Sequence, residues 1–419
     1  RRWGNVATGS ILVLNFLILI TEFIGIDLSM SYFGISDYLS VPLAALLLFA
    51  VTASGSFQRW ERLMMIFVAF NFVVVPLLLA VRPNWGSASH SFVIPGIRGG
   101  ATSDALLLII SIIGTTVAPW QLYFQQSNIV DKRITPRWLN YERVDTLLGS
   151  IVVVASASVI IIAAAAGLSG HGTTDSYTDA LGVARGLSAH VGHGAGAMFA
   201  ILLLNASIIG AAAVTLASSY ALGDLSGSRQ GLNSRLREAK GFYGGFAGLL
   251  TVAAVVTLWP HAPLGLITLA VQALCGLMLP VTTIFVLLLA NDREVLGPWT
   301  NTRWMNAIAT IVIGALVVLS LTLMTSTVFP DVNVKKLLID LAVIVGGFLV
   351  VIVPWSYVHT GPAPHYDVDR ADWRMPRLAL VQPLTPTRGR RLLLRSVAIY
   401  LVLAGLMLLW RVIQMAGAS

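Results

Sequence analysis

Charge is what this 419-residue chain has least of: charged residues make up 11% of it, hydrophobic residues 56%, and the mean hydropathy is +0.81. Soluble domains carry about 25% charged residues, and a water-soluble core cannot absorb this much apolar sequence, so a soluble globular protein is excluded. Cysteine is nearly absent too. The one cysteine, Cys275, lies inside an apolar run, which excludes an intrachain disulfide or a thiolate cluster and leaves any metal chemistry to oxygen and nitrogen. Also missing are His or acidic pairs within the apolar runs, of the H-x-x-x-H kind an integral-membrane enzyme needs. All 7 His lie in loops or at the ends of apolar stretches, so no enzymatic activity is expected.

What the chain has instead is a series of apolar stretches, each long enough to cross a hydrocarbon layer of about 30 Å as a helix of about 20 residues. Eleven are expected, over 9–33, 39–56, 62–81, 104–127, 145–168, 195–222, 243–260, 264–290, 304–326, 337–357 and 394–414. They do not alternate polar with apolar residues as barrel strands do, so the fold class is all-α, a polytopic membrane protein with the lipid bilayer as its first partner.

The formal net charge of +8 could suggest a nucleic-acid partner, but its distribution argues otherwise. Arg1, Arg2, Arg59, Arg62, Lys132, Arg133, Arg137, Arg143, Arg229, Arg235, Arg237, Lys240, Arg293 and Arg303 fall on one set of alternate loops, with the arginines from 370 to 395, 21 residues in all. Only Arg82, Arg98, Arg185, Lys335 and Lys336 fall on the other. A bias of about four to one marks the basic side as cytoplasmic. The charge therefore reports topology, no nucleic acid is expected, and the cell membrane is the expected location, with the N-terminus inside and the C-terminus outside.

Polar breaks divide the chain into a helix bundle over 1–358, a Pro- and Arg-rich cytoplasmic linker over 359–395, and an accessory helix within 396–419. The loop over 169–194 carries His171, His190 and His193, and its Gly/Ser/Thr-rich setting reads as a solvated connection rather than a metal-capture site.

Helix-breaking or ionisable residues deep in a span are costly, so they mark candidate transport sites. The fourth stretch places Gly114, Thr115, Thr116 and Pro119 at mid-span, followed by Trp120, Gln121, Gln125 and Gln126. Pro119 removes a backbone N–H and clashes with the preceding turn, so carbonyls near Gly114 to Thr116 are expected to lose their helical partners and become hard oxygen ligands. Gln272 sits mid-span in the eighth stretch, eight residues before Pro280. Discontinuous helices with binding groups at the midplane are how inverted-repeat transporters build their sites. Glu22 and Asp27 in the first stretch are expected either to be buried against Asn15 or Thr21 or to line an ion path. Asp340 is read as structural.

The run Gly114-Thr115-Thr116-Val117-Ala118-Pro119-Trp120-Gln121-Leu122-Tyr123-Phe124-Gln125-Gln126-Ser127 resembles the sixth-helix signature of the NRAMP divalent-metal transporters, approximately G-A-T-V-M-P-H-N-L-Y-L-H-S. The Gln272-to-Pro280 spacing and the following Asn291 to Gly297 resemble that family's tenth helix, and the likeness extends over about 9–357. It implies a LeuT-type fold of two inverted five-helix repeats with alternating access, a divalent metal ion as substrate, and no cofactor. Thr115 would offer a backbone carbonyl and Gln272 an amide oxygen, with Gly114, Pro119, Trp120 and Gln121 shaping the cavity.

Three departures from the family pattern carry information. Its sulfur-bearing Met is matched by Ala118, which removes a soft ligand that discriminates against hard ions and favours Mg²⁺ with Mn²⁺ tolerated, as in the NRAMP-related magnesium branch. Its sixth-helix His residues are matched by Trp120 and Gln125, the position three after Asp27 is Met30, and the seventh stretch lacks an Arg, so proton coupling is expected to be weak or absent. Its first-helix D-P-G-N motif does not occur, so the family's first two helices are expected to lie outside these 419 residues, leaving half a metal site that is inactive alone. The alternatives are a proton-coupled Mn²⁺/Fe²⁺ transporter and a LeuT-fold carrier of an organic substrate such as an amino acid.

Overall fold

The computed structural model describes residues 2–94, 96, 100, 102–168, 179–226, 231–234, 236–260, 262–329, 332–359, 373, 375, 395–396, 398–407 and 410. Among them the elements are helical, in the order α1 (Arg2–Tyr32), α2 (Asp37–Thr52), α3 (Phe57–Phe70), α4 (Val74–Val81), α5 (Trp85–Val93), α6 (Ser103–Thr116), α7 (Pro119–Asp131), α8 (Leu139–Leu168), α9 (Ala180–His190), α10 (His193–Ser226), α11 (Lys240–Thr257), α12 (Leu264–Ala290), α13 (Arg293–Leu296), α14 (Arg303–Val328), α15 (Val334–His359) and a terminal helix α16 (Ala398–Met407). Eight segments among the described residues are long and apolar enough to cross a membrane, while α2 and α16 are shorter apolar helices. His171 and nearly all of the expected linker over 359–395 lie outside the described residues, as does 411–419 of the accessory segment.

The chain divides into two compact units, the first comprising Arg1–Gly96 with Trp120–Val271 and the second Ile97–Pro119 with Gln272–Ser419. The first unit is organised on α1 and α10. Asn15 donates to the Ser218 hydroxyl at 3.0 Å, and Gly25 and Gly210 let Ser207 and the Glu22 carboxyl lie directly on the facing backbone. The pairings 15 with 218, 22 with 210 and 25 with 207 are an antiparallel register. Close approach through small residues is how helices pack where lipid is as apolar as the side chains. A second cluster joins Val74 and Leu77 of α4, Ala163 of α8, Leu187 of α9 and Ala195 and Leu202 of α10. By contrast α8 leaves Leu147, Leu148, Ile151, Val152, Val153 and Val154 more than half exposed, an apolar surface suited to lipid.

In the second unit α14 packs on α6 and on α15. The connection after α12 is fixed by a triad of amides: Asn291 donates to the Asn306 carbonyl oxygen at 2.9 Å, Asn306 returns the bond at 2.6 Å, and Asn301 donates to the same Asn306 oxygen at 3.1 Å.

The expected span over 62–81 lies within one span, Phe57–Val81, which carries a 3-10 turn at Asn71–Val73, where the Asn71 side chain accepts from Asn205 at 2.7 Å. One sequence expectation needs correction here: α12 runs unbroken through Pro280, so of the two proline-bearing stretches singled out for the site only the fourth is discontinuous.

Candidate functional site

The break in the fourth stretch falls at Val117 and Ala118. Helix α6 starts at a Thr102 cap, whose hydroxyl accepts from Ala105 N–H at 3.2 Å, with Asp104 in the first turn. It ends at Thr116, with Val117 already extended at φ −131° and ψ 93°. The Val117 N–H closes the last turn on the Ile113 carbonyl at 3.0 Å. The helical partner of the next free carbonyl but one, that of Thr115, would be the N–H of residue 119, and residue 119 is proline. The helix thus supplies that carbonyl with no donor. The Thr116 hydroxyl turns back to the Ile112 carbonyl at 2.7 Å, so this side chain caps its own helix rather than a ligand.

Within the second unit the structure brings Gly114 and Gln272 together. A Cβ on Gly114 would overlap the Gln272 carbonyl oxygen and the Gly276 amide, and a Cβ on Gly276 would overlap the Ile110 carbonyl. Only glycine at both positions lets the two backbones meet at this distance. Ala118 is 4% exposed and Pro119 is buried, whereas Thr115 presents an exposed side chain. Gly276 was not singled out from the sequence. Its signal was positional, one helical turn after Gln272 and one before Pro280, but one glycine among 37 gives no reason to stop there.

Trp120 and Gln121 open α7 and belong to the first unit. Trp120 is 9% exposed, and its ring begins an aromatic chain: Trp120 on Phe124 at 5.8 Å, Phe124 on Tyr220 at 6.2 Å, Tyr220 on Phe242 at 5.5 Å and Phe242 on Tyr243 at 5.1 Å. Gln121 is half-buried, but Gln125 and Gln126 are exposed.

At the far end of α7, Asp131 accepts from the Tyr220 hydroxyl, from Leu232 N–H at 2.9 Å and from the Asn233 amide at 3.5 Å. Asn233 in turn accepts from Phe57 N–H at 3.2 Å, and Lys132 pairs with Glu61 at 3.1 Å. This clasp ties α7 to the α10–α11 loop and the start of α3, and local sequence does not reveal it because its partners lie about a hundred residues away. Hydrogen bonds to a charged group contribute about 1.5–3 kcal/mol. Asp131→Ala is therefore expected to lower the thermal midpoint of the purified protein, and Asp131→Asn to lower it less. Equal midpoints for wild type and Asp131→Ala in a detergent melt would contradict the clasp.

The acidic residues of α1 lie within the first unit. Asn15 bonds Ser218, and the Thr21 hydroxyl bonds the Ile18 carbonyl of its own helix at 2.7 Å, while the Glu22 carboxyl lies against the Gly210 backbone. Asp27 is 8% exposed and accepts from the Ser31 hydroxyl at 3.2 Å. Asp340 is exposed on α15. His193 opens α10, and its carbonyl accepts from the Tyr32 hydroxyl at 3.2 Å. Among the described residues no three His, Cys, Asp or Glu side chains converge as a metal centre.

A family model, Nramp, described as natural resistance-associated macrophage protein-like, matches residues 1–326. The chain belongs to the Nramp family. The match takes in α1 through most of α14 and so includes the break and Gln272; it stops short of the expected limit near 357. Nramp relatives include a divalent metal cation transporter of Xylella fastidiosa, 30% identical over 272 residues that are 62% of this chain and 55% of the relative. One from Ralstonia nicotianae is 27% identical over 242 residues, 55% of this chain and 52% of the relative. The chain thus spans about half the length of the curated relatives it matches. A manganese transporter of Eremococcus coleocola, solved with an aromatic bis-isothiourea compound, shares the fold at a TM-score of 0.51 and 19% identity, over 85% of this chain and 80% of that one.

Proposed function

We propose that this Nramp chain is part of a membrane transporter of divalent metal ions, Mg²⁺ foremost with Mn²⁺ tolerated, working by alternating access with weak or no proton coupling. The observation that carries the reading is the α6–α7 break: a mid-span carbonyl at Thr115 that its helix cannot satisfy, one residue from the Gly114–Gln272 contact. In this reading Thr115 contributes its carbonyl oxygen and Gln272 its amide oxygen. Ala118, buried and without sulfur, leaves the site hard. Mg²⁺ prefers an all-oxygen shell and retains several waters, which a site without a thioether accommodates. Gly114 and Pro119 shape the cavity on the side of the second unit.

The divalent class is supported by the transporters of Xylella fastidiosa and Eremococcus coleocola named above. The reading includes eleven crossings in a LeuT-type inverted-repeat bundle over 1–358, a cytoplasmic linker over 359–395, an accessory helix within 396–419, and a place in the cell membrane. A proton-coupled Mn²⁺/Fe²⁺ carrier is the second reading, favoured by the Glu22 carboxyl set within the α1–α10 packing.

Reconstitution of the full-length protein into liposomes separates the two. Mg²⁺ and Mn²⁺ are expected to enter down their gradients with no acidification of the lumen under a potassium-clamped potential. Acidification that tracks metal entry selects the coupled reading, and absence of any divalent influx overturns both.

A further inference from the structure

We propose that the crossing of α6 and α12 is a spacing device that sets the size of ion the site accepts, with Gly276 and Tyr400 as its positioning residues. The inference rests on the reading of the break as a divalent-cation site.

The crossing is antiparallel, with Ile110 opposite Gly276 and Gly114 opposite Gln272. What an added Cβ would meet at either glycine is backbone: the Gln272 carbonyl and Gly276 amide on one side, the Ile110 carbonyl on the other. A side chain can rotate away from such an overlap, but a helix backbone cannot, so a methyl group at either position must push the helices apart. Gly276 lies one turn from Gln272, and Gly114 adjoins Thr115, so that displacement is delivered directly to the two proposed oxygen donors. Ligand distances are about 2.0–2.1 Å for Mg²⁺ and about 2.3–2.6 Å for Ca²⁺. A separation of several tenths of an ångström therefore crosses the interval that distinguishes the ions.

The same turn of α12 is its weakest. Pro280 has no N–H for the Gly276 carbonyl one turn earlier, which is where proline-containing helices bend. A brace stands at that place. The Tyr400 hydroxyl of α16 donates to the Leu277 carbonyl at 2.6 Å, and the Ser320 side chain of α14 bonds the same hydroxyl. Helix α16 is docked there, with Ala404 1% exposed, although it lies beyond the residues that match the Nramp family. Helix α16 thus braces α12 at the residue next to the glycine contact.

The test uses the full-length protein in liposomes, with uptake measured for Mg²⁺, Mn²⁺ and Ca²⁺. Gly276→Ala is expected to raise the Mg²⁺ KM by about tenfold or more, equivalent to about 1.4 kcal/mol of site free energy, and to admit Ca²⁺ as a competitor. Tyr400→Phe, which removes one hydroxyl, is expected to move both readouts in the same direction by less. Gly347→Ala, whose Cβ meets nothing within 4 Å, is the neutral control. Because Gly276 acts through Gln272, adding Gly276→Ala to Gln272→Ala should cost little more than Gln272→Ala alone. Unchanged Mg²⁺ KM and unchanged exclusion of Ca²⁺ in both single variants overturn the inference while leaving the transport reading intact, as does a fall in Vmax shared equally by all ions. If Gly276→Ala does not reach the membrane, Tyr400→Phe decides by the same criteria. A wild-type protein that moves no divalent ion overturns the transport reading and this inference together.

Discussion

Ala118→Met in the full-length protein is expected to shift the site, proposed above to prefer Mg²⁺, toward Mn²⁺ and Cd²⁺. The reason is a change of donor class at a fixed position. Ala118 sits in the break itself, in the two-residue gap between α6 and α7, and is 4% exposed, so a side chain added there has nowhere to go but into the surrounding site. A thioether is a soft donor that binds transition metals far better than Mg²⁺ or Ca²⁺. It also occupies volume that a partly hydrated Mg²⁺ would otherwise use.

Bulk alone could lower Mg²⁺ uptake, because overpacking a buried position commonly costs about 1–3 kcal/mol. Ala118→Leu adds similar volume without sulfur and separates the two effects. Both variants should lose Mg²⁺ flux, but only Ala118→Met should gain Cd²⁺ competition, by about tenfold or more in the ratio of inhibition constants, equivalent to about 1.4 kcal/mol. Identical ion competition for wild type and Ala118→Met would remove Ala118 from the selectivity argument.

How far the sequence anticipates this molecule differs from residue to residue, and the reasons are physical. Each expected apolar stretch coincides at least in part with a helix, because a span of about 20 apolar residues leaves the backbone no other way to satisfy itself in lipid. The break at Val117 and Ala118 was legible because Pro119 removes a specific donor. Pro280 removes one by the same chemistry, yet α12 continues through it. The difference lies in what surrounds each proline: around Gly276 the helix is held by the Ile110 backbone and by Tyr400, and neither contact can be seen in the local sequence. Likewise an acid at the end of α7 says nothing of Tyr220 or Leu232, and a glutamate beside Asn15 and Thr21 in the sequence is placed by tertiary packing against Gly210 instead. Periodicity and single-residue chemistry read out well, whereas approaches between distant backbones, made possible by glycine, do not.

Gln272→Leu is expected to produce the largest loss of transport among single side-chain changes. The contact that locates residue 272 against Gly114 is made by its backbone carbonyl, so truncating or replacing the side chain leaves the helix crossing in place. The effect of the substitution is thereby confined to the chemistry of the amide. Changes to outer-shell partners of bound metals already lower affinity by about 10–100-fold, and removal of an oxygen that touches the ion should cost at least about that much. Gln272→Glu keeps an oxygen at the same reach and adds a negative charge, so it should retain divalent binding and strengthen it. It should also slow release, because an ion held by a carboxylate leaves less readily than one held by a neutral amide. The expected signature is therefore a lowered KM with a lowered Vmax for Gln272→Glu, against a raised KM for Gln272→Leu. Near-wild-type Mg²⁺ and Mn²⁺ uptake by Gln272→Leu would show that the amide does not touch the ion, and would shift the search for the second oxygen donor to the backbone carbonyls at the α6–α7 break.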